Sequence, residues 1–567
     1  MPTVHPVEAP SVDRSASVAD PPAPVPAHAQ SYQVEMTDGV HLATDVYVPP
    51  TIHQAIPTVL IRLPYDKCGR YTFIPEIAER FTAHGFAVVA QDVRGKFRSD
   101  GVQEPFVHEA SDGSDTLDWI CRQPWSNGTV GMFGDSYYGF TQWAAASTGH
   151  PALKAIVPRV TGTSFFASYH TDSVPLLPLY EWVVHTWADS LLHDEPFGVT
   201  RPQPHYFVPD ESAHVREELR ELVAAVSDGS FERDLFPGGI PSTNLAIPAL
   251  HMSGWYDNLL DCTLLEWERS LGSPAADHQF LRIRSADHED LHWREFGQTL
   301  PDHELGDDEL HAYLDETLAE PIAFLDHYLN ERGGRWLAPT VSFEVTNGTS
   351  RVSDRWPPAG SEGLTLTLAD VTEATTNGGR LLGLGRHEVA DVDGSSVEWL
   401  HDPEHPVPYL SASQWSQCAD PPDEAPVHER ANVLVFDSAP VAAPVDLVGE
   451  VSFAGVLDAD TDRTHLIARL CDLYPDGRAR LIAEGAAVAD TSDGPATVTV
   501  PMRATAYRIR PGHAVRLALS SSLFPLYAVH PGHNGDVWDT SVLTPRTQRL
   551  LSTQGAPGRL EVGVQRA

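Results

Sequence analysis

Ser136 lies in the stretch T-V-G-M-F-G-D-S-Y-Y-G-F-T-Q-W-A-A-A, residues 129–146. A short apolar run from Val130 to Phe133 meets Gly134-Asp135-Ser136-Tyr137-Tyr138-Gly139, and an Ala-rich helical stretch follows. Strand, tight turn and helix with a serine at the apex is the setting that holds a hydroxyl clear of a sheet as a nucleophile. Glycines two before and three after the serine leave room for such a turn. The spacing is G-x-S-x-x-G, with Tyr138 where the second glycine more often stands. A serine hydroxyl attacks only when a base takes its proton, and the base needs a carboxylate to fix its tautomer. The chain offers both in the order serine, acid, histidine, each behind an apolar run. Asp257 stands in G-W-Y-D-N after I-P-A-L-H-M, and His288 stands in S-A-D-H after Q-F-L-R-I-R. Alone, glycines near a serine mark an ordinary turn, and Asp257 and His288 are ordinary loop residues in a chain with 27 histidines. Their agreement in order and strand context singles them out.

A second chemistry competes at the same histidine. His288-Glu289-Asp290-Leu291-His292 is a literal H-E-x-x-H, in which two histidines one helical turn apart hold zinc and the glutamate is the base. That reading needs a helix over 288–292 and a third ligand, for which Glu309 is the candidate. The segment instead begins at a strand end, where a serine site needs its base. No metal and no cofactor are therefore expected, and His292 is read as a surface or supporting residue.

Those side chains need a scaffold, and the surrounding pattern supplies one. Residues 1–30, rich in Pro, Ala, Val and Ser, read as a disordered leader. From Tyr32 two alternating runs around T-D-G-V read as a β-hairpin. Short Val- and Ile-rich runs then alternate with helical stretches, which means a parallel sheet with crossovers. This α/β pattern covers residues 31–161 and returns over 246–335. Between them, residues 162–245 carry aromatic, Leu-rich helical text (L-P-L-Y-E-W-V-V-H-T-W) and read as a helical cap over the strand ends. From 336 to 567, short alternating runs separated by Gly, Asp and Pro turns, beginning with V-S-F-E-V, read as an antiparallel β-sandwich or jelly roll.

Composition narrows the partners. The 567 residues carry a formal net charge of −40, from 78 acidic against 38 basic residues, spread along the chain. Nucleic acid and anionic membrane surfaces are excluded as expected partners, while a cationic substrate would be steered favourably. No apolar run approaches the length of a membrane span. Five widely spaced cysteines without a C-x-x-C argue against a disulfide framework or structural zinc. With an N-terminus lacking a basic and an apolar region, they fit a cytoplasmic protein.

Six blocks together carry a resemblance: R-L-P-Y-D-K (62–67), Q-D-V-R-G-K-F-R-S-D-G (91–101), G-D-S-Y-Y-G-F-T-Q-W (134–143), G-W-Y-D (254–257), and the late A-R-L-C-D-L-Y-P-D-G-R-A and P-G-H-A-V-R-L-A-L-S-S-S-L-F-P. The chain resembles the cocaine-esterase and Xaa-Pro dipeptidyl-peptidase family of serine hydrolases, which also includes α-amino acid ester hydrolases and cephalosporin acylases. The resemblance implies an α/β-hydrolase domain, a helical cap and a C-terminal jelly roll. It implies Ser136 as nucleophile, His288 as base and Asp257 as its orienter, with the backbone N–H of Tyr137 and the hydroxyl of Tyr65 as the oxyanion hole. It also implies a homodimer, for which no interface is legible. The expected substrate is a small-molecule ester or amide. Acyl transfer to an amine or alcohol and an Xaa-Pro-type aminopeptidase are the alternatives on the same triad. A zinc metallohydrolase and a non-catalytic binding protein are the alternatives from other classes. Two departures stand out. The family histidine usually follows a G-P-W-like segment, whereas here it follows R-S-A-D. Asp135 and Asp287 directly precede Ser136 and His288; such charges could raise the imidazole pKa or bind a substrate ammonium group, but both are expected to point to solvent.

Overall fold

The computed structural model describes residues 22–565 except 166, 168–169, 172, 181, 183–223, 297–305, 331–332, 376–377, 385–394, 412–414, 536, 540 and 554–555. Two sheets organise these residues. The first opens with the hairpin β1 (Gln30–Glu35) and β2 (His41–Tyr47) and continues with β3 (Ile56–Leu63), β4 (Ala87–Asp92), β5 (Ser126–Asp135) and β6 (Leu153–Arg159). A two-residue hairpin, β7 (His170–Thr171) and β8 (Val174–Pro175), stands apart. The main sheet resumes with β9 (Ala249–Tyr256), β10 (Gln279–Asp287), β11 (Val341–Phe343) and β12 (Arg351–Ser353). Its spatial order is β1-β2-β4-β3-β5-β6-β9-β10-β11-β12, and β4 through β11 run parallel.

Period-two alternation explains why these runs are apolar without interruption. In β3, Val59, Ile61 and Leu63 face the layer of α1 (Ile74–Ala83) and α6 (Asp307–Leu329), while Leu60 faces the layer of α2 (Glu109–Cys121) and α3 (Ser136–Ser147). A parallel sheet covered on both faces buries every position, and β4 and β9 are buried throughout. Further described helices include α4 (Ser230–Leu235), α5 (Leu260–Ser270) and the single turn α7 (Ala425–His428).

The second sheet holds eleven strands between Glu362 and Gln565, with Leu366, Phe436, Phe453, Leu470 and Leu517 in its core. The molecule is thus an α/β-hydrolase core plus a mostly-β domain. The run V-S-F-E-V, expected to open the β domain, instead extends the α/β sheet: Val341–Phe343 lies parallel to Leu281–Ile283. Apolar alternation cannot tell which sheet receives a three-residue edge strand. The leader was also drawn too long. Residues 1–21 lie outside the described residues, but Ala23 donates its N–H to Asp66 Oδ2 (2.6 Å) and Arg98 Nη2 donates to the Pro22 carbonyl (3.2 Å). Proline-rich text is here tied down by side chains of the α/β core. Most of the expected helical cap, residues 183–223, lies outside the described residues. Its described margins are partly helical and join the β domain: Leu177 N–H donates to the Leu526 carbonyl (3.0 Å) and Ala528 N–H to that of Pro175 (2.9 Å).

One buried side chain locks the turn at Ser136. Gln142, fully buried in α3, donates through Nε2 to the carbonyls of Gly134, Tyr138 and Val157, each at 3.1 Å. Its Oε1 accepts the Val157 N–H at 2.9 Å. It ties strand, turn and helix to β6. Replacing Gln142 by leucine is expected to cost about 2–4 kcal/mol in urea unfolding, because buried backbone groups lose their partners.

Candidate active site

Each residue expected in the serine site falls at the carboxyl end of a strand or just beyond it. Tyr65 follows β3, Ser136 follows β5, Asp257 follows β9 and His288 follows β10, while β6 ends in Arg159. Because β3, β5, β6, β9 and β10 are consecutive in the sheet, the topology sets these residues along one edge.

At the elbow, Ser136 has φ +51°, the left-handed region that costs a non-glycine residue about 1–3 kcal/mol and persists only where packing enforces it. The two flanking glycines explain the enforcement. A Cβ on Gly134 would lie 2.2 Å from the Tyr138 ring, and one on Gly139 would lie 2.5 Å from Thr161 Cγ2. Tyr138 can therefore occupy the place where a glycine more often stands: its ring packs onto Gly134. Tyr137 is anchored from beneath. Its hydroxyl donates to Glu109 Oε1 (2.7 Å) and accepts the Phe106 N–H (2.8 Å), and Glu109 Oε2 receives Arg62 Nη1 (2.7 Å).

His288 Nδ1 lies 2.7 Å from Asp257 Oδ1, and the other oxygen of Asp257 accepts from the Ser253 hydroxyl at 2.7 Å. The Trp415 ring, from the β domain, packs against the imidazole with centroids 4.7 Å apart. Burial alone would lower the His288 pKa, but the hydrogen bond and charge of Asp257, with the nearby carboxylates of Glu289 and Asp135, outweigh it and raise the value. Tyr65 is buried and its hydroxyl accepts from Trp182 Nε1 at 3.0 Å. Burial pushes its pKa up, so the phenol remains a donor. Its loop is fixed by Lys67, fully buried between Asp92 (2.5 Å) and Asp45 (3.5 Å).

Two expectations are corrected here. Asp135 does not point freely to solvent: Arg159 Nε lies 2.8 Å from its Oδ1, and Arg159 Nη2 continues to Asp290 at 3.1 Å. Asp287 is buried and accepts the backbone N–H groups of Cys418 (2.7 Å), Leu291 (3.0 Å) and Glu289 (3.2 Å). It closes the loop that carries His288 and pins it to the β domain. Burial raises the pKa of both carboxyls. Sequence marks a carboxylate beside a catalytic position as exposed by default, because its partners here, Arg159 and the 415–418 loop, are remote in the chain.

The H-E-x-x-H segment is a turn rather than a helix. Asp287 N–H donates to the Leu291 carbonyl (3.1 Å), Ala286 and His292 form a bridge, and Asp290 has φ +56°, which no α-helix contains. His288 turns to Asp257, whereas His292 pairs with Arg284. Glu309, the candidate third ligand, caps α6 by accepting the Gly306 N–H at 3.3 Å. The geometry zinc requires is not assembled from these residues.

An α/β sheet presenting a strained serine and a carboxylate-paired histidine at its carboxyl edge defines a hydrolase fold of the nucleophile-elbow type. A family model described as X-Pro dipeptidyl-peptidase (S15 family) matches residues 38–289, and one described as the X-Pro dipeptidyl-peptidase C-terminal non-catalytic domain matches 335–560. The cocaine esterase of Rhodococcus sp. (strain MB1 Bresler) is 29% identical over 559 residues, covering 88% of this chain and 91% of that one. An α-amino acid ester hydrolase structure superposes with a TM-score of 0.76 at 19% identity, over 98% of this chain and 100% of that one. An aminopeptidase structure from a marine-sediment Thaumarchaeota archaeon gives 0.75 at 19% identity with the same coverage. The chain belongs to the cocaine-esterase-like, Xaa-Pro dipeptidyl-peptidase family of serine hydrolases with a C-terminal non-catalytic domain.

Sequence reasoning missed Trp182 and Trp415. Trp182 lies in the helical text of the cap and Trp415 in the β domain, and neither carries a local signal that places it beside a site built at the ends of distant strands.

Proposed function

We propose that Ser136 is the nucleophile, His288 the general base, Asp257 its orienter, and that Tyr65 Oη–H and Tyr137 N–H form the oxyanion hole. The observation that carries this reading is the 2.7 Å contact of His288 Nδ1 with Asp257, next to a serine held at φ +51° on the same sheet edge. With Nδ1 donating to Asp257, His288 Nε2 is left as the acceptor. It takes the Ser136 proton as Oγ bonds to the substrate carbonyl carbon. The carbonyl oxygen becomes an alkoxide, received by the two donors. His288 then returns the proton to the departing oxygen or nitrogen as that bond breaks. Water attacks the acyl-enzyme by the same route and frees Ser136.

Small-molecule esters or activated amides are the substrate class. Trp182 and Trp415 border the reacting groups and offer an apolar surface to an acyl or leaving group. A peptide N-terminus would need a carboxylate at hand, and Asp135, next to Ser136, is already paired with Arg159. The relatives named for ester hydrolysis favour the same class. All five cysteines are free, which supports the cytoplasm as the site of action.

Intact mass after incubation with a fluorophosphonate tests the reading. One adduct per chain is expected, and none would sink the activated serine. Replacing Tyr65 by phenylalanine is expected to lower kcat about 10²–10³-fold with KM little changed, because the lost donor acts on the developing alkoxide. Steady-state kinetics on an activated ester checks this.

A further inference from the structure

Behind the loop that carries Trp415, a small cavity lies between the α/β core and the β domain, lined by Tyr256, Tyr409, Gln417, Cys418, Glu424 and Arg480. Arg480 is 97% buried, at 3% exposure, on the strand Ala479–Asp490. Its guanidinium lies over the rings of Trp293 (5.3 Å) and Phe296 (5.6 Å). Among the described residues no carboxylate forms a salt bridge with it, and its buried Nη1 has no hydrogen-bond partner. The one acidic residue lining the cavity, Glu424, is paired with Arg469. The Tyr409 hydroxyl, also buried, is a second donor without a partner. A buried guanidinium without a counter-charge is strongly unfavourable, so a native fold that keeps one supplies an anion. The free space takes about one water-sized occupant, which excludes carboxylates, phosphate and any substrate.

We propose that this cavity is a binding site for a monoatomic anion of the chloride class, held by Arg480 and Tyr409. The site is coupled to catalysis by construction. Tyr256 precedes Asp257, and Cys418 donates to Asp287 beside His288. The ion joins the two domains at the back of the triad and is neither substrate nor reactant, so the site stands or falls independently of the proposed chemistry.

The melting temperature of the full chain, measured in sodium chloride and in sodium gluconate at equal ionic strength, reads the site directly. Gluconate is too large to enter. Chloride is expected to raise Tm saturably by about 2 °C or more, and Arg480→Gln to abolish the difference. Tyr409→Phe, which keeps the guanidinium, is expected to raise the half-saturating chloride concentration several-fold and serves if Arg480→Gln does not fold. Wild-type crystals grown in bromide should show one anomalous peak in the cavity. Equal Tm in the two salts, a chloride response retained by Arg480→Gln, or bromide found only on the surface would each overturn the proposal.

Discussion

Replacing Ser136 by alanine is expected to lower kcat/KM by about 10⁶-fold on an ester substrate, with no fluorophosphonate adduct. The size follows from the cooperative nature of the site. Without Oγ, His288 has no proton to accept, and the Asp257 contact and oxyanion donors act on nothing that forms a bond. The fold should survive, because alanine meets the same backbone cost at φ +51° that serine does. A urea-unfolding midpoint close to wild type, alongside lost activity, separates a chemical role from a structural one. Glycine at the same place should be inactive yet more stable, since it alone adopts that φ without strain. An adduct persisting on Ser136→Ala would place the nucleophile elsewhere and overturn the elbow.

The elbow was legible because its chemistry demands local text: a strand, small residues and a serine within a few positions. Asp257 and His288 were legible because strand order fixes where a base and its partner can stand. The blocks around them turn out to be scaffolding as much as chemistry. In R-L-P-Y-D-K, Arg62 and Lys67 are both fully buried, Arg62 donating to Gln91 and Glu109 and Lys67 pairing with Asp92, while the Tyr65 hydroxyl accepts from Trp182. What stayed hidden is whatever depends on distant parts of the chain. Asp135 meets Arg159 one strand away, and Asp287 meets Cys418 more than a hundred residues on. Trp415 reaches His288 from another domain. The misplaced V-S-F-E-V strand belongs to the same class, since a short alternating run fits either sheet and only docking decides.

Replacing Asp257 by asparagine is expected to lower kcat about 10⁴-fold while leaving KM within a few-fold. The substitution changes little volume but offers an N–H₂ group where the carboxylate accepted. Nδ1 of His288 then becomes the acceptor, the proton moves to Nε2, and the atom facing Ser136 can no longer take a proton. The pH profile gives a second, independent readout. Burial lowers the His288 pKa, but the Asp257 hydrogen bond and charge are the largest opposing contributions, ahead of Glu289 and Asp135, and the net shift is upward. The acid limb of wild-type kcat/KM should therefore lie above the ordinary histidine value of about 6.5, and in Asp257→Asn it should move to lower pH. Stability carries the same sign. A raised pKa means the folded protein holds the His288 proton more tightly than the unfolded chain. That contribution is full below about pH 6.5 and is lost as pH rises through the raised value. The variant lacks it, so the stability gap between wild type and Asp257→Asn should be wider at pH 6 than at pH 9. Denaturant unfolding at the two pH values measures the gap. A gap that widens with pH instead would mean that Asp257 does not hold the His288 proton, and the base would have to be assigned elsewhere.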